Sequence, residues 1–324
     1  MLLVAMCKWL IIGKYREGKC KLYSWFFLKW WLVRRIIYVS RLYTWALDQT
    51  IFLRYWLISL GGNVGKDFSA ESIFILEPDL IDIGEGVKVG FETQFNTTEV
   101  MHNGVVEFRR IRIDDHVKIG VRAVLMGGVR IREGCEVLAK SAVDTGFDCE
   151  RGNQIIGGSP AIVSGEKHAV ANKTRRDFSF TVLQLIALFC IVLLVETVAL
   201  AGYSIGFIVQ DRYGVTGLVL YIGTCFLAII GILFSLLVAL LYRALIKIEA
   251  KKQYTGKWFE IRKWFLDRLL LSPLFSYASE RILQASSTYP WYLKLLGATV
   301  RRRTWIRNPC KYPLCDFFLR SRGF

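Results

Sequence analysis

The chain has 324 residues, of which 53 % are apolar and 14 % aromatic, and it carries a formal charge of +16. That length holds two domains, and the aromatic share is high for a protein that meets only water. Eight scattered cysteines without a Cys-x-x-Cys pair argue against a paired zinc motif and leave reduced thiols as the default; Cys310 and Cys315 are the one close couple.

Residues 1–12 are apolar apart from Lys8, too short to span a bilayer, and lack the leading basic cluster of a signal peptide. They are expected to be the end of a membrane helix. Over 13–62, aromatic and basic residues interleave, as in Trp25, Lys29, Trp30, Trp31, Arg34, Arg35 and Tyr38. Rings suit the headgroup zone and cations reach anionic lipid, so amphipathic helices on a membrane surface are predicted there. Interleaving with long apolar runs favours lipid over nucleic acid as the partner of this basic stretch.

Residues 63–165 carry a period of six. Ile113, Ile119, Leu125, Ile131, Val137 and Val143 recur at every sixth position, with a second, smaller register at Val117, Ala123, Val129, Cys135 and Ser141. Ile83, Val89 and Phe95 keep the same beat earlier, with Val87 and Thr93 in the second register. Helices repeat near 3.6 and half-buried strands at 2, so a strict six predicts one flat side of a β-solenoid coil per hexapeptide. The beat lapses between Asn96 and Arg112, where an excursion loop is expected.

Two long apolar runs follow, at 178–209 and 215–245. From Phe180 to Val209 only Glu196 is charged, and from Val215 to Tyr242 nothing is. At ~1.5 Å per residue these runs cover about 45 and 42 Å, so a transmembrane hairpin is predicted across a hydrocarbon layer of about 30 Å. Glu196 is an intramembrane carboxylate in that reading, set against Tyr203, Tyr221 or a partner helix. Charge divides unevenly: 8–66 holds 11 Lys/Arg and 2 Asp/Glu, 67–171 holds 11 and 17, and 243–324 holds 17 and 5. Lys173, Arg175 and Arg176 before the hairpin, with Arg243, Lys247, Lys251 and Lys252 after it, put both outer ends and the coil on the cytoplasmic side of the membrane.

The region 253–324 repeats the beginning of the chain. Tyr15-x-x-Gly18-Lys19 returns as Tyr254-x-Gly256-Lys257, Trp25-Phe26-Phe27 as Trp264-Phe265-Leu266, and Leu60-Gly61 as Leu296-Gly297 at an offset of 236. A second unit of the same kind is expected to start there, although no period of six follows Val300.

Taken in this order, several motifs resemble the membrane-embedded C-terminal region of poly-lysine synthetase type non-ribosomal peptide synthetases. They are Gly13-Lys14-Tyr15-Arg16-Glu17-Gly18, Trp30-Trp31-Leu32-Val33-Arg34-Arg35, Glu77-Pro78-Asp79-Leu80-Ile81-Asp82-Ile83-Gly84, Thr97-Thr98-Glu99-Val100 and Gly157-Gly158-Ser159-Pro160-Ala161. The resemblance implies a left-handed parallel β-helix (hexapeptide repeat) domain plus a transmembrane α-helical hairpin and flanking amphipathic helices. It also implies amide-bond formation from thioester-activated amino acids, with upstream adenylation and carrier domains as partners. Ile156 to Ala161 is similar to the closing segment of hexapeptide-repeat acyltransferases, in which a histidine deprotonates the acceptor and a pantetheine arm lies along the coil. That likeness implies an acyl-CoA or phosphopantetheine carrier thioester as cofactor, no metal, and further copies of the β-helix arranged as a trimer or pseudo-trimer. A non-enzymatic membrane scaffold and a stand-alone acetyl-CoA-dependent acetyltransferase are the competing readings.

A base with a pKa near neutral suits an amine attacking a thioester. His102, in the lapse of the beat, is one candidate base and an ordinary loop-tip histidine is its bland alternative. Glu99 is the competing base, with Thr97 and Thr98 as hydrogen-bonding partners. His116, beside Asp114 and Asp115, reads as a turn residue, and His168 as part of a linker. Arg109 and Arg110, with Arg112, are candidates to hold the phosphates of the cofactor, and Gly127, Gly128 and Ser159 to line its arm. Gly90, Gly120, Gly127 and Gly128 also read as coil corners requiring positive φ, and Gly158, Ser159 and Pro160 as coil termination.

Overall fold

The computed structural model describes residues 1–102, 104–166, 178–214, 257–270 and 289–295, with parts of 233–244. They fall in two compact units, Met1–Asp177 and Phe178–Phe324. The first opens with helix α1 (Leu2–Ile11), strand β1 (Gly18–Lys21) and helices α2 (Trp25–Thr44) and α3 (Ile51–Ser59). Short strands follow: β2 (Asn63–Val64), β3 (Ser69–Ala70), β4 (Ile73–Ile75), β5 (Ile81–Ile83), β6 (Lys88–Val89) and β7 (Thr93–Asn96). A hairpin of β8 (Thr98–Val100) and β9 (Val105–Phe108) then leaves the coil. Coiling resumes through β10 (Ile111–Ile113), β11 (Lys118–Ile119), β12 (Val124–Met126), β13 (Arg130–Ile131), β14 (Glu136–Val137) and β15 (Ala142–Val143). It closes with β16 (Gln154–Gly158) and β17 (Ala161–Glu166).

The coil is a parallel β-helix with three faces. One stacks β2, β5, β10 and β13, the next β3, β6, β11, β14 and β16, and the third β4, β7, β12 and β15. Ile113 stands beside Ile131, Ile119 beside Val137 and Leu125 beside Val143, an advance of eighteen residues, or three hexapeptides, per coil. One coil earlier the advance is thirty, with Ile83 beside Ile113, Val89 beside Ile119 and Phe95 beside Leu125. The surplus twelve residues are 97–108, the hairpin. β17 turns back antiparallel on β16 and ends the stack.

Inward burial holds this shape. All eleven residues of the two registers from Ile113 to Val143 are at most 2 % exposed. An inward Ile or Leu contributes roughly 1.5–3 kcal/mol, whereas one ladder hydrogen bond adds a net ~1 kcal/mol. Strands of two residues therefore suffice, because the side chains inside the prism supply more than the ladder does. His116, Arg122 and Lys140 turn corners at φ of 55–61°, which makes His116 a corner residue with an exposed ring.

The helices are anchored to the coil by burial and by polar contacts. Ser24 caps α2, its Oγ accepting from Phe27 N at 3.2 Å. Tyr15, Trp30, Val33 and Ile37 pack with Leu76, Leu80, Val106 and Phe108, with the Trp30 and Phe108 rings edge to face at 5.7 Å. Lys8 Nζ lies 2.7 Å from Asp79 Oδ2, both side chains fully buried. Where the sequence predicts only helices between 13 and 62, β1 inserts a strand. Its Gly-Lys-Cys-Lys has no apolar period of its own and takes its conformation from antiparallel pairing with β9.

In the second unit α4 (Phe178–Tyr213) is a continuous helix of 36 residues, followed by α5 (Lys257–Leu270), in contact with α4, and α6 (Tyr289–Leu295). Among the described residues no helix is long and apolar enough to cross a membrane. Most of 215–245, including Tyr221, lies outside the described residues, as do 296–324 with Cys310 and Cys315. The described parts of 253–324, α5 and α6, are helical.

Candidate functional site

The excursion at 97–108 has a built base. Thr97 O accepts from Arg109 N at 2.9 Å, closing the hairpin where it leaves the coil. The register places Glu99 opposite Glu107, and β1 adds Lys19 beside Glu107. Like charges facing each other across strands repel. Here Glu107 Oε2 accepts from Arg109 Nη2 at 2.9 Å, and Lys19 Nζ lies 3.5 Å from Oε1. The hydrogen bond from Arg109 holds the Glu107 carboxyl below its usual range, and the same bond raises Arg109 above its own.

Glu99 points from the hairpin back to the coil. Its Oε2 accepts from Thr145 Oγ1 at 3.2 Å, on the turn that follows β15. Beneath them run Gly127 and Gly128, bonded to neighbouring backbone through Gly146 N to Gly127 O at 3.1 Å and Gly128 N to Arg110 O at 3.0 Å. A Cβ on Gly127 would come within 2.9 Å of Arg109 Cβ, and Gly128 sits at φ +83°. Four predicted site residues, Glu99, Arg109, Gly127 and Gly128, are thus brought together at one corner of the coil.

The others lie elsewhere. His102 is exposed at the hairpin tip, beyond β8 and away from the base. Leu22 N donates to Gly104 O at 2.8 Å and ties that tip to the chain after β1. Arg110 grips Asp82 through Nη1 at 3.0 and 3.1 Å and Glu17 through Nε at 3.2 Å, so its fork is already filled by carboxylates. Arg112 is exposed and lies 4.0 Å from Glu17. Ser159 sits exposed in the turn between β16 and β17. His168 lies outside the described residues.

Two expectations are corrected here. Thr97 and Thr98 do not serve Glu99: Thr97 Oγ1 donates to Glu77 Oε2 at 2.9 Å, and Thr98 Oγ1 accepts from Arg34 Nη1 at 3.1 Å. Adjacency along the chain suggests these partners, but successive strand residues such as Thr98 and Glu99 face opposite ways, and Thr97 is taken by the buried Glu77. Positive φ also fails to explain three of the four corner glycines, since only Gly128 adopts it. Crowding is the reason at Gly90 and Gly120, where a Cβ would stand 2.8 Å from Val121 N and 2.4 Å from Ala139 N on the adjacent coil.

Beyond the sequence reading lie Thr145, Glu107 and a clamp beneath the hairpin. Glu77, 2 % exposed, accepts from Trp30 Nε1 and Thr97 Oγ1, both at 2.9 Å, with Arg34 Nη1 3.5 Å away. Burial pushes its carboxyl above the usual range. The Thr97-Thr98-Glu99 motif signalled the hairpin strand, but nothing local signalled Glu77 as its anchor. The two thiols within the coil are poor nucleophiles: Cys135 and Cys149 are fully buried with Sγ atoms 3.5 Å apart, and burial pushes the Cys135 thiol up to about 11. Among the described residues no group of three His, Cys, Asp or Glu side chains could hold a metal ion.

No protein-family profile matches the chain. Over 144 residues, 44 % of this chain, it is 27 % identical to the Delta-poly-L-ornithine synthetase of Acinetobacter baumannii. The chain spans a tenth of that relative's length. Among solved structures, the chain is similar to a hexapeptide-repeat-containing acetyltransferase from Vibrio cholerae, with 21 % identity and a TM-score of 0.31 over 40 % of this chain and 90 % of the other. The maltose O-acetyltransferase of Clostridium difficile 630 gives 16 % and 0.32 over 52 % and 86 %. A galactoside acetyltransferase solved with coenzyme A gives 18 % and 0.32 over 44 % and 88 %.

Proposed function

We propose that the chain is an acyltransferase-like module that forms an amide between a thioester-activated amino acid and an amine acceptor, with Glu99 as the base. The observation that carries this reading is the return of Glu99 from the hairpin onto the coil at Thr145, with Arg109 and the Gly127–Gly128 backbone around it. An amine nitrogen attacks the thioester carbonyl carbon, the new C–N bond replaces the C–S bond, and Glu99 carries the amine proton to the leaving thiolate. Thr145 fixes one carboxylate oxygen and leaves the other to face the acceptor. The δ-linked poly-ornithine in the relative's name is an amide of an amine with an amino-acid carboxyl, which supports this donor and acceptor class.

In the finer form of the proposal the donor is an acyl-CoA or a phosphopantetheine carrier arm charged by upstream adenylation and carrier domains of a non-ribosomal peptide synthetase, and further β-helix copies complete the assembly. In this form the chain is also attached to a membrane, with the coil on the cytoplasmic side. Membrane preparations fed a radiolabelled aminoacyl thioester and an amine test the reading. Glu99→Gln lowers transfer by about 10²-fold or more and His102→Ala leaves it unchanged. Loss with His102→Ala and not with Glu99→Gln moves the base to the hairpin tip. No transfer by the parent chain with any donor replaces the enzyme with a scaffold, and retention on a coenzyme A column points to an acetyl-CoA-dependent acetyltransferase.

A further inference from the structure

Helix α1 is turned inside out. Its exposed side chains are Leu2, Leu3, Met6, Trp9 and Leu10, between 44 and 82 % exposed, beside the terminal Met1 at 47 %. Its single charge, Lys8, is buried at 1 % against Asp79. A helix that meets water arranges these residues the other way round. α2 has a second apolar face as well. Trp30, Val33 and Ile37 point into the coil, while Trp25, Leu28, Trp31, Leu32, Tyr38 and Val39 are 44–72 % exposed at helical spacing along the other side.

Cations lie among these rings: Lys29 Nζ is 5.8 Å from the Trp25 ring and the Arg35 guanidinium 5.6 Å from that of Trp31. Of the two carboxylates between residues 8 and 66, Asp48 is buried at 7 %, and Glu17, half exposed, is paired with Arg110 of the coil. Among the described residues neither Lys29 nor Arg35 is in an ion pair with a carboxylate, so the exposed apolar faces carry positive charge.

We propose that the outer faces of α1 and α2 dock into an anionic phospholipid monolayer. The fully apolar face of α1 sinks among acyl chains, and the Trp, Tyr, Lys and Arg side chains of α2 lie at the level of the headgroup phosphates. Charge complementarity selects lipid phosphate as the occupant, and rings stacked on cations suit the headgroup zone. This docking rests on unit 1 alone and is independent of the acyl-transfer reading.

The full chain, reconstituted in vesicles of phosphatidylcholine with or without phosphatidylglycerol and carrying a diazirine in the acyl chains, gives the test. Adducts mapped by peptide mass spectrometry are expected on Leu2–Leu10 and Trp25–Val39, richer with phosphatidylglycerol. Lys29→Glu or Arg35→Glu lowers adduct yield on these helices about fivefold, and Leu10→Glu with Trp31→Glu abolishes it, with unchanged circular dichroism and unchanged acyl transfer. Three results overturn the proposal: no adducts on either helix while the same lipid labels other segments, equal labelling with and without phosphatidylglycerol, or cross-links between copies through Trp31 in place of lipid adducts. Loss of acyl transfer in Glu99→Gln with these adducts intact affects the proposed reaction only.

Discussion

Gly120 shows how closely successive coils approach. A Cβ there would stand 2.4 Å from Ala139 N and 2.7 Å from Leu138 C, backbone atoms of the next coil that cannot rotate away. Gly120→Ala is expected to cost about 1–3 kcal/mol through overpacking, read as a lower urea midpoint at unchanged slope; an unaltered midpoint shows that the coils can part. At the candidate site, Thr145→Val tests the anchoring of Glu99. It removes the 3.2 Å hydrogen bond to the carboxylate while keeping side-chain volume, so it lowers kcat more than it alters KM if Glu99 must be held for proton transfer. An equal kcat in the variant removes Thr145 from the site. The sequence showed Glu99, because an acidic residue stood where the beat lapsed. It did not show Thr145, because Oγ1 of a turn threonine forty-six residues later is brought in only by coil stacking.

The same division between local and stacked information runs through the elements. Coil strands were legible because each inward residue recurs at six, a pattern that needs no distant partner to be seen. The hairpin was legible only as an interruption, and β1 not at all, since its pairing partner β9 lies some eighty-seven residues away in the register. The attachment of α1 was hidden for a related reason: Lys8 read as the one charge in an apolar stretch, and its partner Asp79 sits on the coil. Burial lowers the Lys8 pKa against the opposing pull of Asp79. Lys8→Met would leave Asp79 as an uncompensated buried carboxylate and is expected to cost about 3–5 kcal/mol. The double variant Lys8→Met with Asp79→Leu recovers most of that loss, because two apolar side chains of similar volume replace a desolvated pair. Additive losses in this double-mutant cycle would show that the pair is not coupled.

At the scale of the molecule, buried charge sets how unit 1 responds to pH. Burial raises the folded pKa of Glu77 above its ordinary 4.5, so between 4.5 and that raised value the folded chain holds a proton that the unfolded chain has released. Stability is fully present below 4.5 and falls as pH rises through that window. Lys8 acts with the opposite sign. Its folded pKa lies below the ordinary 10.5, so in the window just under 10.5 the unfolded chain binds the extra proton and stability climbs with pH. Glu77→Gln isolates the first slope, since the amide keeps the shape of the side chain between Trp30 and Thr97 and does not titrate. As pH rises above 4.5, the unfolding free energy is therefore expected to fall more steeply in the parent chain than in Glu77→Gln, measured by urea titration. Parallel profiles would mean that Arg34, Trp30 and Thr97 together outweigh the burial and keep Glu77 ionised in the folded chain, which would recast the clamp under the hairpin as an ion pair.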